Sequence, residues 1–171
     1  MTVKKIILLG NKILRMKSKN IHLDKIDKKL IEDLKDTLLD FRKKEGLGRG
    51  IAAPQIGINK RMLFIITKEF SGVMINPKIV EKSKKKIRVW DSCFSLKVAI
   101  FCKVTRNKEI EVEFFDEKCI KQKLMAKDAL SELLQHEIDH LDGIMCTDLV
   151  KSTKDIVMRE EWERMGKPFL T

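Results

Sequence analysis

Residues 135–140 read Gln135-His136-Glu137-Ile138-Asp139-His140, a His-Glu-x-x-His pattern inside a segment of helical periodicity. Leu130, Leu133, Leu134, Ile138 and Leu141 recur at the three- and four-residue steps of one α-helical stripe. Positions four apart lie on the same face of a helix, so His136 and His140 can share one metal ion. Glu137 beside them can take a proton from an attacking water. The same five-residue pattern also occurs in amphipathic helices whose histidines only face water or fill a core, so it leaves both readings open. A hydrolytic site would need a third protein ligand and a donor for an oxyanion. Both must come from elsewhere in the chain.

The 171 residues, 43% of them hydrophobic, suit a single domain spanning 1–171 with a proper core. No apolar run approaches the ~20 residues of a membrane-spanning helix. Ile6-Ile7-Leu8-Leu9 is too short for the core of a secretory signal and lacks a small-residue cleavage site. It reads as a short strand or an extended arm. The expected location is therefore the cytoplasm, with no membrane partner. Cys93, Cys102, Cys119 and Cys146 lack the paired spacing of a zinc ribbon and are expected to be reduced. The net charge of +11 favours polyanionic surroundings such as ribosomes. A solvated lysine-rich surface explains it equally well. The basic residues are scattered apart from a run at 82–88, and the chain has no tyrosine. A base-stacking platform or sequence-specific nucleic-acid partner is not expected.

Residues 24–43 carry Ile26, Leu30, Leu34 and Leu38 at helical spacing, with Asp24 as an acidic start. Gly46-Leu47-Gly48-Arg49-Gly50 breaks this helix and lets the backbone approach something closely. Ile51-Ala52-Ala53-Pro54-Gln55 follows, with Gln55 polar among apolar neighbours. Residues 62–67, 73–76, 79–80, 87–90, 98–105 and 110–115 are β-prone, Pro77 stopping the second. Residues 119–125 return from a hairpin turn at Phe115-Asp116-Glu117-Lys118. Asp128 is the expected N-cap of the histidine helix, Asp142-Gly143 its end, and residues 155–165 a last charged helix. The class is α+β: antiparallel sheets packed around a central metal-binding helix, with an N-terminal and a C-terminal helix.

Cys93 is the best third ligand, because it lies in a polar break, Asp91-Ser92-Cys93-Phe94-Ser95, between strands. The other three cysteines sit in or beside apolar runs and read as small core residues. A Cys/His/His set suits zinc or ferrous iron alike. Gln55 and a backbone N–H near Cys93 can donate to an oxyanion. These residues indicate a hydrolase of an amide or related bond, without naming its substrate.

Gly48-Arg49-Gly50-Ile51-Ala52-Ala53-Pro54-Gln55, Asp91-Ser92-Cys93-Phe94-Ser95 and Gln135-His136-Glu137-Ile138-Asp139-His140 resemble, in order and spacing, the three motifs of peptide deformylases. The resemblance covers nearly the whole chain, including Ile75-Asn76-Pro77. It implies removal of the formyl group from N-formylmethionine of nascent peptides, releasing formate. It further implies that Cys93, His136 and His140 hold one divalent metal ion: Fe2+ in vivo, with Zn2+, Ni2+ or Co2+ as substitutes. Glu137 would be general base and then acid. Gln55 and the Phe94 backbone N–H would form the oxyanion site, and the Gly50 backbone would hold the peptide. The ribosome surface becomes an expected partner.

The chain departs from the family pattern in its middle motif, which is usually Glu-Gly-Cys-Leu-Ser. The arginine expected to pair with its acid is not evident in residues 96–101, where Lys97 is the only cation. Arg49 and Glu132 are charged where the family's methionine pocket is usually apolar. They are expected to approach each other and reshape that pocket, unless both snorkel to solvent. Three other readings stay open. One is a deformylase-fold paralogue with another N-formyl or N-acyl substrate. The second is a zinc endopeptidase with a ligand downstream of His140, and the third a basic RNA-binding module with a structural metal. Glu137→Ala discriminates between enzyme and binding module. The hydrolase reading expects bound metal to persist in metal analysis while formate release falls by roughly 10²-fold or more; the binding-module reading expects function to survive.

Overall fold

The structure, a computed structural model, describes residues 2–170. The N-terminal segment is an extended arm and joins neither sheet. The Ile7 N–H donates to the Gln55 carbonyl at 2.8 Å, and the Leu9 N–H to the Ser95 carbonyl at 2.9 Å. The arm therefore ties together two loops that are far apart in sequence.

Helix α1 (Lys28–Glu45) starts later than Asp24. Asp27 is its N-cap, accepting from the Leu30 N–H at 3.2 Å, and Gly46 ends it in the left-handed conformation. Asp24 lies instead in a 3-10 turn, Leu23–Lys25. The strands are β1 (Gly50–Ala52), β2 (Met62–Ile66), β3 (Ser71–Lys82), β4 (Lys86–Asp91), β5 (Ile100–Asn107), β6 (Glu109–Phe115) and β7 (Lys121–Lys127). They are followed by α2 (Asp128–Leu141), β8 (Ile156–Met158) and α3 (Arg159–Arg164). The pairings are antiparallel in two sheets, ordered β1-β2-β3-β6-β7 and β4-β5-β8.

Pro77 does not stop β3. The register against β6 slips between Ile75 and Lys78, and this irregularity accommodates a residue that cannot donate to the ladder. Asp128 is the first residue of α2, not its cap. β7 runs into the helix directly, leaving no loop in which a cap could sit; the Asp128 N–H donates to the Lys108 carbonyl at 2.8 Å. Residues 156–158 form β8 along β5, so α3 covers only the second half of the expected last helix. Its Trp162 stacks on Phe101 of β5, with centroids 3.9 Å apart. Cys102 and Cys146 are core residues as expected, whereas Cys119 is exposed in the turn before β7.

α2 is buried on nearly all sides, as a helix flanked by apolar surface in several directions must be. Leu130, Leu133, Leu134, Ile138 and Leu141 pack with Ala52, Leu63, Met74, Val112 and Phe114 from the larger sheet. The opposite face carries the histidines toward β4 and β5. Just beyond α2, Gly143 has φ +76, and a Cβ there would lie 2.7 Å from the Arg15 carbonyl oxygen. Glycine alone closes this helix against the N-terminal segment. No helix among the described residues is long and apolar enough to cross a membrane.

Leu134 is fully buried at the centre of this packing. Leu134→Ala is expected to lower unfolding stability by about 3 kcal/mol in urea titrations, through lost burial and the cavity left behind.

Candidate metal centre and hydrolytic site

His136 and His140 project from the same face of α2 because they are four residues apart. Their Nε2 atoms lie 3.1 Å from each other, and the Cys93 Sγ lies 3.1 Å from the His140 Nε2. The three donor atoms lie within 4.8 Å of one another, and all three side chains are buried. Ligands around one tetrahedral ion at ordinary bond lengths stand roughly 3.3–3.7 Å apart, so this convergence fits a single metal ion. Cys93 reaches it because β4 ends at Asp91 and the chain turns into a 3-10 helix, Phe94–Leu96.

The His136 ring is oriented from behind. Its Nδ1 donates to Asp91 Oδ1 at 2.8 Å, which in the neutral ring leaves Nε2 as the atom that would bind a cation. Asp91 Oδ2 accepts from Arg106 Nη2 at 2.9 Å, with both side chains under 5% exposed. The Arg106 guanidinium also pairs with Asp139, next to His140. Arg106, on β5, is thus the cation that pairs with the middle-motif acid. It lies beyond residues 96–101, but the Ile87↔Arg106 and Asp91↔Cys102 register puts it on the same face of the β4–β5 pair as Asp91, within reach of its side chain. Burial alone would raise the Asp91 carboxyl, but His136 and Arg106 hold it well below the usual carboxylate range. Ser92 Oγ donates to the Ile100 carbonyl at 2.8 Å and so latches the loop to β5.

Glu137 lies on the cavity side of α2. Its Oε2 is buried with no hydrogen-bond partner among the described residues. Burial pushes its carboxyl up to about 7. A carboxyl poised there can exchange a proton near neutrality, and a nearby divalent cation would favour its charged form. Space for Glu137 is made by Gly50: a Cβ at that position would lie 2.6 Å from Glu137 Oε1. Gln55 is fixed at both ends. Its Oε1 accepts from the Ala52 N–H at 2.8 Å, which turns its amide nitrogen toward Cys93 Sγ, 3.4 Å away. Phe94 opens the 3-10 turn, whose first N–H groups have no partner within the turn. Phe41 of α1 stacks on its ring at 3.9 Å.

Arg49 and Glu132 meet, with Arg49 Nη2 2.6 Å from Glu132 Oε2. Arg49 Nη1 also donates to the Ala129 carbonyl at 3.2 Å. Glu132 is buried and Arg49 is 42% exposed, so the alternative of both pointing to solvent is set aside. Burial and the nearby Asp91 raise the Glu132 carboxyl, with Arg49 opposing the rise. These side chains border one cavity of about 240 Å³, together with Gly50, Gln55, Cys93 and His136. Sequence reasoning missed Arg106 as the partner of Asp91; its signal was a cation in the same alternation as Cys102 and Val104 along β5. It also missed Trp162 and Phe169, which line the cavity from the C-terminal segment.

A buried Cys/His/His group flanked by an unpaired carboxyl and a fixed carboxamide defines a metallohydrolase site for an amide bond. Comparison with known proteins agrees. The model of the polypeptide deformylase family matches residues 3–155. A peptide deformylase of Pseudothermotoga lettingae is 35% identical over 159 residues, covering 93% of this chain and 90% of its own. Peptide deformylase 2 of Clostridium acetobutylicum is 38% identical over 152 residues, covering 88% and 97%. Among solved structures, a peptide deformylase from Synechococcus elongatus in complex with actinonin superposes with a TM-score of 0.81 at 29% identity, covering 95% of this chain and 86% of its own. The peptide deformylase of Thermotoga maritima also gives 0.81, at 27% identity, covering 89% and 100%. The chain belongs to the peptide deformylase family.

Gly50→Ala places a methyl group on the Glu137 carboxylate. It is expected to reduce turnover by at least roughly tenfold, as groups misplaced by about 1 Å do, while far-UV circular dichroism stays unchanged.

Proposed function

We propose that this chain, as one domain of residues 1–171, removes the N-formyl group from formylmethionine at the start of newly made peptides and releases formate. The supporting observation is the convergence of Cys93, His136 and His140, with Cys93 and His136 sharing one cavity with Glu137 and Gln55. Cys93 Sγ, His136 Nε2 and His140 Nε2 would hold the family's divalent ion, Fe2+ in vivo, with Zn2+, Ni2+ or Co2+ able to substitute. When bound, such an ion supplies Lewis acidity to the formyl carbonyl and to the attacking water.

The chain's own residues do the rest. Glu137 takes the proton of the attacking water and then delivers it to the leaving amine, as a carboxyl titrating near neutrality can. The Gln55 amide and the Phe94 backbone N–H donate to the oxygen that gains charge as the formyl carbon becomes tetrahedral. β1 is an edge strand, so the backbone at Gly50 can pair with an extended peptide. Burial of Cys93, Gln55, His136 and Glu137 lowers the polarity around them and strengthens each of these interactions. The positive net charge suits work at the ribosome surface in the cytoplasm, through phosphate attraction and without sequence reading.

Cys93→Ala tests the ligand set. It is expected to abolish stoichiometric metal in elemental analysis and deformylation of a formyl-Met tripeptide together. A variant that keeps its metal would place the third ligand elsewhere, as an endopeptidase would. Chelation of the wild type should abolish formate release, and anaerobic Fe2+ should restore it.

A further inference from the structure

Arg49 and Glu132 border the cavity but have no part in the chemistry above. Arg49 adjoins Gly50 at the start of β1, and Glu132 precedes His136 by one helical turn. A Glu132 carboxylate oxygen, an Asp91 oxygen and a His136 ring nitrogen lie within 4.8 Å of one another. The pair therefore bridges the two elements that carry the catalytic groups, next to the point where the formyl carbon must sit. In a formylated peptide the Cα and its side chain lie only two bonds beyond that carbon. With the peptide along the β1 edge, one wall available to the first side chain is this ion pair.

The pair is not self-sufficient. Of the five N–H donors of a guanidinium, one meets Glu132 Oε2 at 2.6 Å and one the Ala129 carbonyl at 3.2 Å. No other acceptor among the described residues pairs with the Arg49 guanidinium. A purely apolar side chain seated there strips water from the spare donors and returns no hydrogen bond. A neutral oxygen bonded to the δ atom of a methionine-length side chain replaces that water. An added carboxylate, by contrast, would face Glu132.

We infer that the Arg49–Glu132 pair sets the first-residue specificity, favouring a methionine-length side chain with a neutral hydrogen-bond acceptor carried on its δ atom over an isosteric apolar one. The carboxamide of glutamine and the sulfoxide of oxidised methionine share this chemistry. The inference rests on the deformylase reading and names the side-chain class that the same site prefers.

The test uses the metal-loaded full chain and four formyl tripeptides that differ only in the first residue: methionine, norleucine, glutamine and methionine sulfoxide. The glutamine or the sulfoxide peptide, or both, are expected to exceed norleucine in kcat/KM by roughly three- to tenfold, the worth of one hydrogen bond from a half-exposed guanidinium. Their order separates the two sources of the acceptor. The double substitution R49I/E132L removes both charges, leaving neither one buried alone, and is expected to reverse the preference. Calorimetric binding of the corresponding N-acetyl tripeptides should follow the same order. A wild-type preference for norleucine over both oxygen-bearing peptides overturns the inference and leaves the deformylase reading standing. A folded, metal-containing double variant with the wild-type ratio also overturns it. Turnover of none of the four peptides overturns the deformylase reading itself, and the inference with it.

Discussion

The carboxylate of Asp91 holds three elements in register. One oxygen accepts from the His136 Nδ1 on α2, the other from Arg106 on β5, and the residue itself ends β4. Such a buried pair adds little net stability, because desolvation offsets the attraction, but losing either partner strands a charge in the interior. Its contribution is therefore to geometry. It permits one ring orientation of His136 and one placement of the smaller sheet against the helix. Cys93, two residues beyond Asp91, follows from the same anchor. Asp91 spans this gap with its shorter arm, Oδ1 reaching the His136 Nδ1 at 2.8 Å.

Around that anchor the site is built by close approach. Gly50 lets the Glu137 carboxyl lie against the β1 backbone, and burial then raises that carboxyl toward neutrality. Gln55 is oriented by the Ala52 N–H, and the N-terminal arm is bonded both to its carbonyl and to that of Ser95. Apolar packing on the other face of α2 supplies the rigidity these contacts need. A site held by a buried helix and two edge strands can keep its donors in place with little reorganisation.

Much of this was legible in the residues. The helix pattern from Leu130 to Leu141 had one apolar stripe and two histidines on another face, so both the helix and the histidine pair followed from a 3.6-residue period. Cys93 stood out because a polar break between β-prone runs is where a side chain leaves a sheet. The Arg49–Glu132 pair was anticipated because both charges fell where apolar residues usually stand. The errors were local. Pro77 was read as a stop, but a register slip absorbs it. Asp128 was read as a cap, but β7 enters the helix with no loop. Residues 156–158 were read as helix, yet β5 needed a neighbouring strand and recruited them.

By itself, the sequence determined which side chains carry the chemistry, because ligand type and helical spacing are local properties. It also determined the α+β class, since hydrophobic periods of two and 3.6 show without partners. Only the tertiary structure decided which charges pair. Arg106 lies 15 residues from Asp91 in the chain and meets it only through the β4–β5 register. Tertiary packing also decided that Gly50 makes room for Glu137 and that the C-terminal segment walls the cavity. These are contacts between elements distant in sequence, set by packing, and no local pattern encodes them.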